Sequence, residues 1–155
     1  MSHTKGWASR RAVLQGGAAL AAAAAGLLAG PAAAGVEDAR KALAMLTGGA
    51  VPVEGRITLS MPQVADNGAT VPMTITVDSP MTPQDHVTAV VVVADGNPAP
   101  EVAVFRFSPE IGVVDVNVRV RMAKTQSVIA VAQMNDGSAY IARAEVKVTV
   151  GGCTT

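Results

Sequence analysis

Residues 113–122 read Val-Val-Asp-Val-Asn-Val-Arg-Val-Arg-Met, and residues 87–94 read Val-Thr-Ala-Val-Val-Val-Val-Ala. In the first run Val114, Val116, Val118 and Val120 alternate with Asp115, Asn117, Arg119 and Arg121. Side chains of a strand point alternately to its two faces, so a period of two predicts one dry face and one wet face. The second run is apolar nearly throughout and rich in a β-branched residue, which predicts a central strand covered on both faces.

Outward from these runs the same texture continues. Short stretches of Val, Ile and Thr alternate with Asp66-Asn67-Gly68, Ser79-Pro80, Asp95-Gly96-Asn97-Pro98 and Asn135-Asp136-Gly137. These clusters supply residues that tolerate positive φ or preset a turn. They divide the chain into strands at about 55–60, 70–78, 87–94, 102–107, 113–122, 127–134 and 139–150. Asn135-Asp136-Gly137-Ser138 is the clearest hairpin corner. About seven strands at this spacing predict an all-β fold, an immunoglobulin-like antiparallel β-sandwich. The Cys…Trp…Cys framework of antibody domains is absent, because the sole Trp is Trp7, so Val and Ile must fill the core.

Before the first strand, Val36, Ala39, Leu43 and Leu46 are spaced to share one helical face. Glu37 and Asp38 suit the positive end of a helix dipole, and Gly48-Gly49 is a stop signal. A short N-terminal helix over 36–46 is therefore expected.

The first 34 residues have a different character. Lys5, Arg10 and Arg11 precede an Ala/Gly/Leu run from Ala12 to Ala29, interrupted only by Gln15, and Ala32-Ala33-Ala34 follows Pro31. A basic segment, an apolar segment and an A-x-A site in that order read as a signal peptide over 1–34. A membrane anchor would need about 20 strongly apolar residues, and this run is mostly Ala and Gly. Ser9-Arg10-Arg11-Ala12-Val13-Leu14-Gln15 is similar to the twin-arginine export signature. The expected product is a periplasmic domain over 35–155, with no membrane association in its mature form.

Charge and composition then exclude several functions. The signal removes three of 12 basic residues and none of 12 acidic ones, which leaves a mildly acidic chain. With no basic stripe and 3% aromatic residues, nucleic-acid binding is not expected. No metal site is expected either, since the mature chain has one His (His86) and one Cys at no ligand spacing. His86 reads as a solvated or hydrogen-bonded surface residue, and Asp85 beside it is weak evidence for a catalytic triad. The methionines lack copper-site spacing and read as core gap fillers. No phosphate loop or dinucleotide fingerprint is present.

What remains is Gly151-Gly152-Cys153-Thr154-Thr155. A solitary cysteine in an oxidising compartment has no intramolecular partner. It lies far from the signal cleavage site, where a lipidated cysteine would sit, and beyond the last strand rather than inside one. Gly151 and Gly152 give the backbone before it wide freedom, and from Val150 an extended arm to Cys153 reaches about 10 Å. Residues 151–155 thus read as a flexible C-terminal arm carrying a thiol into another protein's pocket. With no His, Lys or Arg in the arm, nothing local activates the thiol. The alternative is an exported structural or interaction sandwich whose terminal cysteine forms an intermolecular disulfide. A thiol enzyme is a third reading and needs a base near Cys153.

A longer series of residues narrows the choice. It comprises Leu46-Thr47-Gly48-Gly49, Thr70-Val71-Pro72 leading into Val77-Asp78-Ser79-Pro80-Met81-Thr82, and Ala94-Asp95-Gly96-Asn97-Pro98 with Pro100-Glu101-Val102-Ala103. Met122-Ala123-Lys124-Thr125-Gln126 and Ala144 to Cys153 complete it. In these the chain resembles the SoxY family, the sulfur-carrier subunits of SoxYZ complexes in bacterial thiosulfate oxidation. The resemblance implies a heterodimer with a SoxZ-like β-sandwich and covalent sulfur attachment at Cys153, with Gly151 and Gly152 as the swing. It implies a carrier rather than an enzyme, with no cofactor or metal of its own. A haem enzyme, a metal-dependent hydrolase and in many organisms a molybdenum enzyme would act on the cargo. The family's usual ending is Gly-Gly-Cys-Gly-Gly, and this chain departs from it at Thr154 and Thr155. Those β-branched residues are stiffer than glycine and bear on how the tip fits an enzyme channel.

Overall fold

A computed structural model describes residues 31–151. Among these residues one α-helix, α1 (Pro31–Leu46), precedes nine strands: β1 (Val53–Glu54), β2 (Ile57–Ser60), β3 (Val64–Ala65), β4 (Val71–Val77), β5 (Val87–Ala94), β6 (Glu101–Arg106), β7 (Val114–Val120), β8 (Gln126–Met134) and β9 (Ala139–Val148). A turn of 3₁₀ helix at Pro109–Ile111 links β6 to β7. The larger sheet has the order β1-β9-β8-β5-β6, with β3 also on β9, and the smaller sheet has the order β2-β4-β7. The expected immunoglobulin-like sandwich is the observed one.

The two decisive runs behave as their patterns demand. In β7, Val114 and Val120 are buried while Asp115, Asn117 and Arg119 are exposed. β5 lies between β8 and β6 and is buried on both faces. Its Val90, Val92 and Ala94 enter the core between the sheets, beside Met73, Ile75, Val128 and Val146. Its Val91 and Val93 point the other way, into a second cluster with Ala39 that Ala42, Leu43 and Leu46 of α1 cover. The helix is thus the lid that lets β5 be apolar on both sides.

Two expectations change. The strand count is nine because Val53–Glu54 and Val64–Ala65 each pair in parallel with β9. Two residues cannot display a period of two, and their pairing is decided by the edge of β9 that they meet. Between β1 and β2, Gly55 (φ 130°) and Arg56 (φ 50°) take the chain out of extended conformation, so the strand expected from 55 begins at Ile57. Arg56 is held in that conformation by Nη2, which donates to both Asp85 carboxylate oxygens (3.0 and 3.1 Å), and by Nε, which donates to the Asp78 carbonyl at 2.8 Å. Hydrogen bonding to Asp85 raises its pKa further above the ordinary arginine value, and its guanidinium lies 5.6 Å from the Tyr140 ring centre.

The helix also begins earlier than Val36. Alanine has the highest helix propensity and proline suits a first helical position, so the turn from Pro31 is helical. Glu37 and Asp38 consequently fall beyond the first turn, away from the strongest part of the dipole. The expected processing junction, Ala34–Gly35, falls inside α1, while residues 1–30, which carry the rest of the proposed signal, lie outside the described residues. At the other end the predicted stop is realised. Gly48 takes φ 64° and the Gly49 amide donates to the Ala44 carbonyl at 3.0 Å, a Schellman closure in which glycine avoids the Cβ penalty.

Met73, Met81, Met122 and Met134 are buried, the gap-filling role expected of them, whereas Met45 on α1 is 83% exposed. The Asn135–Ser138 corner joins β8 to β9 as a hairpin. There the Ser138 hydroxyl (2.6 Å) and amide (2.9 Å) both donate to Asp136 Oδ1, and they hold the Asp136 carboxyl below the usual carboxylate range. A depressed folded-state pKa contributes stability above the unfolded value that is lost as pH falls through the folded one. A carbon-detected titration should place Asp136 below an ordinary aspartate, and Ser138→Ala should return it part of the way. An unchanged Asp136 midpoint in Ser138→Ala would refute this cause.

Candidate functional site: the root of the C-terminal arm

β9 is the strand that delivers the arm. It is paired along one side with β8 from Ala139 to Val146. On the other side β1 meets it at Tyr140 and Ile141, and β3 meets it at Lys147 and Val148. One side is therefore paired as far as Val146, and the other near both ends of the strand.

Beyond Val148 the engagement continues. The Thr149 amide donates to the Ala65 carbonyl at 3.0 Å, and its hydroxyl to the Asp66 carbonyl at 2.9 Å. The Val150 carbonyl accepts from the Gly68 amide at 2.7 Å, and the Gly68 carbonyl in turn accepts from the Met122 amide at 2.7 Å. From the opposite side the Thr125 hydroxyl accepts from the Val148 amide at 3.0 Å. Gly151 then lies so close to the loop after β7 that a Cβ there would overlap the Ala123 carbonyl oxygen.

That loop is itself held in place. Asn97 Oδ1 accepts from the Ala123 amide (2.9 Å) and from Gln126 Nε2 (2.8 Å), while Asn97 Nδ2 donates to the Arg121 carbonyl (3.0 Å). Gln126, only 5% exposed, uses its other amide atom to accept from the Gly96 amide at 2.7 Å. A buried side-chain amide without partners would cost about 1–3 kcal/mol; here both ends are satisfied. Asp95 adds a bond from the Ser127 amide to its Oδ1 at 2.9 Å. The turn Asp95-Gly96-Asn97 and the stretch Ala123–Ser127 thus form one polar hub beneath the arm's root.

Of the residues singled out from the sequence, Gly151 is exposed at this root. Gly152 and Cys153, with Thr154 and Thr155, lie outside the described residues. The sequence offered no direct signal for Asn97 and Gln126 as supports of the arm: Asn97 reads as a turn residue, and Gln126 precedes the strand expected over 127–134. Their joint role depends on two loops meeting in space.

His86 is far from all this. Its Nδ1 is 3.0 Å from the Thr82 carbonyl and its amide donates to Asn135 Oδ1 at 3.0 Å, the hydrogen-bonded surface role expected of it. β5 and β9 run the same way, each antiparallel to β8, so His86 precedes β5 at the end of the sheet opposite the arm. The length of β5 separates them, roughly 25 Å, which exceeds the arm's reach of about 10 Å from Val150. His86 cannot serve Cys153 as a base within one chain. Among the described residues no three His, Cys, Asp or Glu side chains group to hold a metal ion.

A profile of the family described as "Sulfur oxidation protein SoxY" matches residues 43–153, most of the chain and the whole of the arm up to its cysteine. The chain belongs to the SoxY family. Among solved structures this SoxY-family chain is similar to the sulfur carrier protein SoxY from Chlorobium limicola f thiosulfatophilum, at 32% identity and a TM-score of 0.61. That likeness covers 74% of this chain and 99% of the other. A superoxide reductase (neelaredoxin) from Ignicoccus hospitalis shares the fold, with a TM-score of 0.55 and 16% identity over 61% of this chain and 80% of its own. At that identity the likeness is one of architecture alone. No curated protein gave a significant match.

Proposed function

We propose that this SoxY-family protein is a periplasmic sulfur carrier that holds intermediates of thiosulfate oxidation covalently on Cys153. The observation that carries the reading is the match of a SoxY profile extending to Cys153 itself, supported by the similarity to a SoxY described as a sulfur carrier. The build of the root supports it further. A strand paired with β8 as far as Val146 and with β3 at Lys147 and Val148 gives a firm body, and the cysteine follows only a few residues later.

The chemistry needs a thiolate and an external oxidant. Cys153 loses its proton, and its sulfur bonds to the terminal sulfur of thiosulfate as two electrons pass to a separate haem enzyme. A metal-dependent hydrolase then adds water across the bond to the sulfonate, releasing sulfate and leaving a persulfide on Cys153. A molybdenum enzyme is a candidate for oxidising that sulfane sulfur. The chain itself acts as handle and not as catalyst, and the base that activates the thiol belongs to the partner's site.

A SoxZ-like subunit is the proposed partner in a heterodimer. Val51 is 86% exposed, and Val53, Val64, Ile111 and Val113 are also in water, so apolar surface is available for it. Export by the twin-arginine route, cleavage after Ala34 and the absence of a resident cofactor belong to the same proposal.

Intact-protein mass spectrometry of the periplasmic form from thiosulfate-grown cells, before and after reductant, tests it. Reductant-labile sulfur or thiosulfonate adducts mapping to Cys153 are expected. A protein found only unmodified, or only as a symmetric disulfide dimer, would favour the cross-linked structural sandwich instead.

A further inference from the structure

Gly151 and Gly152 look interchangeable in the sequence, yet the environment of Gly151 sets it apart. The residue before it is tied through its carbonyl to Gly68 at 2.7 Å. On the other side a Cβ at Gly151 would overlap the Ala123 carbonyl oxygen, so the backbone passes this oxygen at a distance only glycine permits. Ala123 cannot easily retreat, because its amide is held by Asn97 Oδ1. Asn97 is in turn braced by Gln126 and by the Arg121 carbonyl. Glycine is needed here for close approach rather than for freedom, the two distinct reasons a chain uses it.

We propose that Gly151 is the seated foot of the arm, lodged between the Gly68 turn and the Ala123 carbonyl, and that Asn97 is the positioning residue which holds this seat. Gly151, not Val150, is then the last residue fixed to the body. The lever from foot to Cys153 is two residues long, about 7 Å when extended, instead of the three residues counted from Val150. A short lever on a firm foot confines the cargo to a small volume and raises its effective concentration at a docked enzyme's entrance. That consequence rests on the carrier reading; the seat itself does not, so the two can fail separately.

The test uses amide ¹⁵N relaxation on the full chain with its thiol reduced and unloaded, so that sulfur chemistry plays no part. Gly151 should show an order parameter near about 0.85, like Val146, while Cys153 falls below about 0.6. Gly151→Ala, at an exposed position past the last strand, should leave the body's spectrum intact and drop position 151 to the Cys153 level. Asn97→Ala should loosen position 151 in the same way. A wild-type Gly151 order parameter nearer to that of Cys153 than to that of Val146 would overturn the inference. So would a Gly151→Ala chain in which position 151 remains as ordered as Val146. Neither result would touch the adduct measurement.

Discussion

Replacing Cys153 by serine is expected to remove every sulfur adduct from the protein while leaving its fold and melting temperature unchanged. Serine is close to cysteine in size, but a hydroxyl has no thiolate form near neutral pH and cannot accept a sulfane sulfur in a stable S–S bond. No second cysteine exists to take over, since the chain has one. Thr149 and Val150 are held by backbone bonds to Ala65 and Gly68, none of which needs the thiol. Adduct mass, thiosulfate-dependent electron transfer to the proposed haem enzyme and any disulfide dimer should therefore vanish together. Circular dichroism should not change. Adducts surviving at another residue in Cys153→Ser would sink the carrier reading outright.

The largest effect on stability is expected from Ile75→Ala. Ile75 is wholly buried at the centre of β4, the middle strand of the smaller sheet, paired with Leu59 on one side and Val116 on the other. Its side chain lies in the core between the two sheets. Truncation there loses transfer free energy and opens a cavity, together about 2–5 kcal/mol, a large share of the roughly 5–15 kcal/mol that holds a domain together. At about 4 °C per kcal/mol for a domain of this size, the melting temperature should fall by roughly 8–20 °C. The same change at Val116, half-buried on β7, should cost distinctly less. Equal losses at the two sites would mean that the smaller sheet does not close on the larger one as described. Because the arm's root belongs to β9 in the other sheet, Ile75→Ala protein kept below its melting point should still load sulfur at Cys153.

These two outcomes draw on different sources of knowledge. Alternation in Val114–Val120 and the unbroken apolar run of β5 were readable because backbone geometry alone forces a period of two, and burial on both faces removes it. Gly48-Gly49 and the Asn135–Ser138 corner were readable because turn chemistry is local. Cys153 stood out because a lone thiol after two glycines has few structural duties. Helix α1 was seen but misplaced at its start, since the Ala-rich segment before Val36 suits both a signal and a helix.

Other features could not be read along the chain. β1 and β3 exist because the edge of β9 offers them partners, and nothing in two residues encodes that. The second apolar layer under α1 explains why β5 lacks a polar face, but its occupant was not legible from β5. The same holds at the arm. That a thiol follows two glycines was determined by the sequence alone. That the first of them passes within a Cβ's reach of a backbone oxygen was decided only by the tertiary structure. The Ala123 carbonyl, the Gly68 amide and the Asn97 side chain around Gly151 come from three distant loops. A steric limit on Cβ arises only where those loops meet the end of β9.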